Sequence, residues 1–247
     1  MNSTTEERRQ AHSLVAEAKR AMSDGDSLRA EHRFRDALAA FVLLDDPAAA
    51  ARVLASLADL RLSAGDFGEA FQLGRQALDR APGDVHVLTG LGYAQWLSGS
   101  PADGEVTFAQ ALRQDGAVAR ALAGRGQVQV ELGEYRAALA DLGRALDLGL
   151  PHDDETDVRS ARALALAGLG RLAEAEAELA AAVERAPGRP RTRLRAAQLA
   201  ALAGRPDQAR QQFRELAGLT DPRASAEART ARRHLTRLDR RTAASSP

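Results

Sequence analysis

The chain has 247 residues and no cysteine, which excludes disulfides, thiolate metal sites and cysteine nucleophiles. Aromatic residues make up only 4 %, with one tryptophan, so a core has to be built from Ala and Leu in closely packed helices. Lysine is almost missing as well. Of 34 basic residues all but Lys19 are arginine, a bias that fits a GC-rich bacterial coding sequence. No run approaches the roughly 18 apolar residues of a membrane-spanning helix. Met1 to Gln10 is polar, with Glu6, Glu7, Arg8 and Arg9, and lacks the apolar stretch behind a basic start that marks a secretory signal. The expectation is a cytoplasmic protein with no membrane segment.

Signatures of catalysis are missing too. There is no G-x-S-x-G, phosphate-binding P-loop or H-E-x-x-H. His152-Asp153-Asp154-Glu155 has metal-ligating residue types, but they are consecutive and not at helical ligand spacing. Gly168-Leu169-Gly170-Arg171-Leu172-Ala173 imitates part of a dinucleotide fingerprint with no strand before it. The sequence therefore predicts no catalytic residue, no metal and no cofactor.

What is present is a beat of glycines. Gly25, Gly65, Gly99, Gly133, Gly170 and Gly204 recur, with three of the gaps equal to 34 residues and the other two 40 and 37. Five residues after each stands Ala30, Ala70, Gly104, Ala138, Ala175 or Ala209. Twelve after stands Ala37, Ala77, Ala111, Ala145, Ala182 or Leu216. A fixed period of this length means one supersecondary unit copied end to end. Apolar residues recur at helical spacing on both sides of each glycine, and Pro82-Gly83, Gly116, Pro151, Pro187-Gly188 and Pro222 close several units. Each unit reads as helix, tight turn, helix and short loop, with helices of about 12–15 residues, or roughly 20 Å.

The predicted fold is all-α: a solenoid of six helix-turn-helix units at 11–46, 51–84, 85–118, 119–152, 156–189 and 190–223. A polar tail at 1–10 precedes them, with Thr4-Thr5-Glu6-Glu7 as a capping box for the first helix. The stretch 148–155 is read as an insertion. Residues 224–247 are expected to form a basic capping helix followed by a disordered tail from Ala243.

This pattern resembles the tetratricopeptide repeat family over about residues 11–223. Its small eighth position is met by Ala18, Ala58, Gly92, Gly126, Ala163 and Ala197. The large residue between its two alanines is met by Phe34, Phe108, Leu142, Leu179 and Phe213, with Gly74 as the exception. Arg159 and Arg193 fall where the family usually buries a large apolar residue, so units five and six are expected to shift register or expose that corner. The resemblance implies a right-handed superhelix whose first helices line a concave groove. It also implies protein or peptide binding without catalysis.

The period assigns groove-facing positions: Arg52 and Asp59, Tyr93 and Trp96, Arg120, Gln127 and Val130, and Arg191, Arg195 and Gln198. Tyr93 and Trp96, three apart, share a helical face and are either apolar anchors for a partner or core. Arg191 and Arg195 stack on one face and suit a carboxylate or phosphate. Some proteins of the family clamp a C-terminal carboxylate with basic residues there, but the accompanying places hold Ala123, Gln127 and Ala161. The expected partner is a protein or peptide with acidic groups.

The formal net charge of zero conceals an uneven distribution: −3 over residues 1–130, −7 over 131–184 and +10 over 185–247. Two alternatives follow from it. The acidic middle of one copy could dock onto the basic end of another, giving a homo-oligomer. The run Arg229, Arg232, Arg233, His234, Arg237, Arg240 and Arg241 could instead touch nucleic acid, though without interleaved aromatics a solvated basic face is the stronger reading.

Overall fold

In the computed structural model, which describes residues 3–221 and 224–244, the described residues form helices and no strand. The chain divides into two compact units, Met1–Gly116 and Ala117–Pro247. The first contains α1 (Ser3–Ser23), α2 (Ser27–Leu43), α3 (Pro47–Ala64), α4 (Phe67–Arg80), α5 (Val85–Ser98) and α6 (Pro101–Gln114). The second contains α7 (Ala119–Leu132), α8 (Tyr135–Leu148), α9 (His152–Gly168), α10 (Leu172–Arg185), α11 (Pro190–Leu202), α12 (Pro206–Ala217) and α13 (Ser225–Ala244). Within each unit every helix packs on its neighbours in sequence, and the first helices of successive pairs also touch: α3 with α5, α7 with α9, α9 with α11, and α11 with α13. This is the nearest-neighbour packing of an all-α solenoid.

The glycine beat has one cause. All six repeat glycines have positive φ, from 73° at Gly204 to 106° at Gly99, a region that side chains with a Cβ rarely enter. At Gly65 the glycine N–H donates to Leu62 O (3.1 Å) and the following Asp66 N–H to Arg61 O (2.9 Å). That is the Schellman closure, which satisfies carbonyls left open at a helix end, and the same pair of bonds recurs at the other five.

The small residues are where the two helices of each pair meet. Every alanine five or twelve residues past a repeat glycine is 0 % exposed, as is Leu216. At the eighth position the fit is tighter still. A Cβ on Gly92 would stand 2.8 Å from the Phe108 ring, and one on Gly126 2.7 Å from Leu142. Gly74, which replaces the usual large residue, receives Leu91 from the next pair; a Cβ there would lie 3.1 Å from Leu91 Cδ1. Gly168 of the apparent dinucleotide motif makes room for the Tyr135 ring, 2.3 Å from where its Cβ would be.

Several boundaries differ from the sequence reading. α1 already starts at Ser3, so residues 3–10 of the expected tail are helical and Thr4 lies inside the helix. α3 starts at Pro47 because the Asp46 side chain accepts from Ala49 N–H (3.0 Å) and Pro47 suits the first turn. The insertion at 148–155 is half helix: α9 begins at His152, with Asp153, Asp154 and Glu155 at the positive end of its dipole. Of the expected disordered tail, Ala243 and Ala244 are in α13, while 245–247 lie outside the described residues, as does the closing Pro222.

Arg159 and Arg193 do not shift the register. Arg159 bonds Glu155 (2.9 Å) and Glu178 (3.4 Å), and Arg193 bonds Glu215 (3.1 Å). At this corner an ion pair between the two helices of a repeat takes the place of an apolar contact.

Candidate functional site

In Met1–Gly116 the face to consider is made by α1, α3 and α5, the first helix of each pair. Between them lies a pocket of about 280 Å³. Its floor is apolar: Phe41 and Val53 are 1 % and 2 % exposed, with Val15 beside them. Its rim carries His12, Lys19, Arg52 and His86. His12, Val15 and Lys19 share one face of α1, being three and seven residues apart, and the His12 ring meets Phe41 edge-on at 5.0 Å. Arg52 Nη1 donates to Asp84 Oδ2 (3.3 Å), while Asp84 Oδ1 caps α5 by accepting from His86 N–H (2.9 Å) and Val87 N–H (3.2 Å). One carboxylate thus ties α3 to the start of α5.

The remaining predicted positions of this unit divide. Arg52 is exposed and Asp59 half-buried on the α3 face. Trp96 is 5 % exposed and belongs to the core, so it is not an anchor for a partner. It packs with Tyr93 (ring centroids 6.0 Å apart), which in turn meets Phe108 edge-on at 5.1 Å. The cause is Gly104: an added Cβ there would come within 3.2 Å of Trp96 Cβ, so the second helix approaches α5 closely and the indole is covered.

In Ala117–Pro247 the corresponding face comes from α7, α9, α11 and α13, and it is densely wired. Arg189 grips Asp157 with both Nε (2.8 Å) and Nη2 (3.1 Å). Arg191 Nε–H donates to Glu227 Oε1 on α13 (3.0 Å) and lies 3.8 Å from Asp157. Burial alone would lower the Arg191 pKa, but Asp157 and Glu227 together outweigh it and raise it. Arg195 is 2 % exposed, donates to Gln198 Oε1 (3.3 Å) and reaches Glu131 only at 4.0 Å. Burial leaves its guanidinium below the ordinary value, with Glu131 offsetting in part. Gln127 and Val130 are 3 % and 6 % exposed, so neither is an open contact position. Among the described residues no partner meets Gln127 Oε1, Thr192 Oγ1 or Arg195 Nε. Arg120 is half-buried and faces Asp154, whose carboxyl is pushed up by burial against the pull of Arg120.

The Arg191 and Arg195 pair is therefore not an open anion clamp, because Glu227 and Asp157 already stand at Arg191 and Arg195 is buried. The Gln198 amide nitrogen, a donor only, lies 2.9 Å from His234 Nε2, so the imidazole accepts and is held neutral. The ring stacks on Phe213, 4.9 Å between centroids at 3°. Burial first, then Arg237, Arg195 and Arg233, lower the His234 pKa to about 4.

The residues that sequence reasoning passed over are His12, Lys19, Phe41 and His86. The available signal was the one lysine of the chain, seven residues after a histidine. The His152-Asp153-Asp154-Glu155 run opens α9 with Asp153 on Arg189 (3.1 Å) and Glu155 on Arg159 and Arg185. No group of three or more potential metal ligands occurs among the described residues.

Comparisons with known proteins agree with this architecture. Models of the tetratricopeptide repeat match residues 61–128, and residues 15–85, 124–190 and 160–226. A thermophilic tetratricopeptide repeat protein of Thermus thermophilus is similar at 26 % identity and TM-score 0.57, over 78 % of this chain and 98 % of that one. A tetratricopeptide repeat protein of Parabacteroides merdae is similar in fold at 16 % identity and TM-score 0.56, over 93 % and 97 % of the two chains. The same holds for PilF of Pseudomonas aeruginosa, at 19 % identity and TM-score 0.58 over 92 % and 99 %. No curated protein matches the sequence. With left-handed glycines closing every first helix and family models covering most of its length, the chain belongs to the tetratricopeptide repeat family.

Proposed function

We propose that the protein is a non-catalytic interaction module that holds a segment of a partner protein against the first-helix faces of its repeats. Repeats of this kind serve generally as protein-binding scaffolds, but a fold does not name a ligand, so the reading rests on the site. The observation that carries it is the pocket at Arg52, a position the repeat period assigns to the binding face, where an apolar floor meets a basic rim. Asp59 and Arg120 are further predicted positions left partly open on these faces. A partner's acidic groups would meet Arg52 in one unit or Arg120 in the other, whereas Arg191 is engaged by Asp157 and Glu227 of the chain itself and Arg195 is buried. Among the described residues no helix is long and apolar enough to cross a membrane; a chain without cysteine is compatible with the reducing cytoplasm, the compartment we propose for it.

A photo-reactive amino acid placed at Asp59 or Arg120 should capture a partner from the native host. The same group at Gln76 or Arg144, exposed on the second helices α4 and α8, should not. Capture only at the second-helix positions, or at none, ends this reading.

A further inference from the structure

We propose that the pocket between α1, α3 and α5 recognises an acidic residue next to an apolar one in an extended segment of the partner. Lys19 and Arg52 would hold the carboxylate, and Val15, backed by the buried Phe41 and Val53, would receive the apolar side chain. The inference rests on the interaction-module reading above and names what that site selects.

Of three acids on or capping the helices around this rim, Glu17 and Asp46 are paired away from it, and Asp84 is shared between Arg52 and the start of α5. Glu17, two residues before Lys19, pairs with Arg33 at 3.1 Å. Asp46 caps α3 through Ala49 N–H and meets Arg8 at 3.7 Å. Asp84 spends one oxygen on two backbone N–H groups of α5, leaving a single oxygen for Arg52. Lys19 is exposed and forms no ion pair among the described residues. The rim is thus a cationic edge whose ammonium has no counter-charge among the described residues. A guanidinium and an ammonium on either side of a cleft suit a carboxylate.

At about 280 Å³ the pocket lies just under the range of small-molecule sites, and it suits one or two side chains of a longer ligand. Its lining excludes a purely ionic reading: Val15, Ala49, Val53 and Phe41 all border it, and the half-buried Val15 is the apolar side chain left open, with the buried Phe41 and Val53 behind it. Water over such a floor gains few hydrogen bonds, so an apolar side chain displaces it favourably. An anion alone would leave that floor unused.

The test is titration calorimetry of the full chain with a blocked hexapeptide, acetyl-Gly-Asp-Leu-Glu-Leu-Gly-amide. Its Asn/Gln isostere and sodium acetate serve as comparison ligands. The acidic peptide should bind, and Lys19→Glu or Arg52→Glu should weaken it about tenfold or more. Both side chains are exposed, so circular dichroism should show the fold kept. Arg75→Glu, on the exposed side of α4, should bind as the parent does.

The isostere and acetate should each bind at least about tenfold more weakly than the acidic peptide. Equal binding of acid and isostere, equal binding of acetate, indifference to both charge reversals, or no binding near about 1 mM overturns the proposal. If photo-capture at Asp59 or Arg120 succeeds while the acidic peptide fails, the pocket assignment falls and the module stands. If both fail, both fall.

Discussion

At the scale of single residues, the absence of a methyl group carries much of the architecture. Gly92 and Gly143 are both helical, but they predict opposite outcomes. Alanine at 92 would drive its Cβ to 2.8 Å from the Phe108 ring, whereas at 143 nothing lies within 4 Å. Gly92→Ala is therefore expected to destabilise the protein by about 1–3 kcal/mol through overpacking. Gly143→Ala should stabilise it by about 0.5–1 kcal/mol through helix propensity. Chemical denaturation of both variants reads the two signs.

His234 supplies a second residue-level prediction. Its pKa of about 4 in the folded chain lies below the ordinary 6.5. Between these values the unfolded chain binds the extra proton, so stability rises with pH across this window and is lost as pH falls through it. The contribution is on the order of 3 kcal/mol. His234→Gln should flatten the pH dependence of the melting temperature between those two values relative to the parent chain.

At the scale of elements, charge takes over work that apolar side chains do elsewhere in the repeat. Arg125–Asp141 and Arg162–Glu178 join first to second helices in successive pairs, each across 16 residues of sequence. Arg159 and Arg193 add to this at a corner where the repeat family buries a large apolar residue. The longest reach belongs to α13. Ala228 and Ala231 are 2 % and 0 % exposed, and Leu235 and Leu238 pack on the cluster around Phe213 and Leu216. Glu227, itself 6 % exposed, holds Arg191. Glu227→Ala would leave a largely buried guanidinium with Asp157 at 3.8 Å as its nearest acid. The expected cost is about 2–3 kcal/mol. Hydrogen exchange should show the loss of protection concentrated in α11 and α13.

At the scale of the whole molecule, a chain whose helices touch mainly their sequence neighbours has no single centre to lose. Phe34, 0 % exposed in the cluster formed by α1, α2 and α3, illustrates this. Phe34→Ala should cost about 3–5 kcal/mol locally. Hydrogen exchange should rise across α1 to α3 while α11 to α13 stay protected, because coupling passes only from neighbour to neighbour. Uniform loss along the chain would show a cooperativity that this packing does not provide.

Charge also changes meaning at this scale. Along the sequence the acidic block 131–184 and the basic block 185–247 look like two poles, yet in the fold they neutralise each other. Arg185 pairs with Glu155, Arg189 with Asp153 and Asp157, and Arg205 with Glu176. These pairs tie up charges of both blocks within the fold, which weakens the case for head-to-tail assembly through those blocks.

The spacing of glycines and alanines sufficed to determine the repeat, its helices and its family. A left-handed turn and a close helix crossing tolerate almost no other residue types, so the local chemistry shows directly in the residue letters. The helix starts at Ser3, Pro47 and His152 were less legible, because caps and dipole contacts extend a helix without disturbing its apolar period. Only the tertiary structure decided which first-helix side chains remain open. Trp96 disappears beneath a neighbour admitted by Gly104, Arg191 meets a carboxylate 36 residues away, and Lys19 meets none among the described residues. Exposure and ion pairing depend on what arrives from the adjacent helix, and the repeat period specifies where that helix lies but not which side chain it brings.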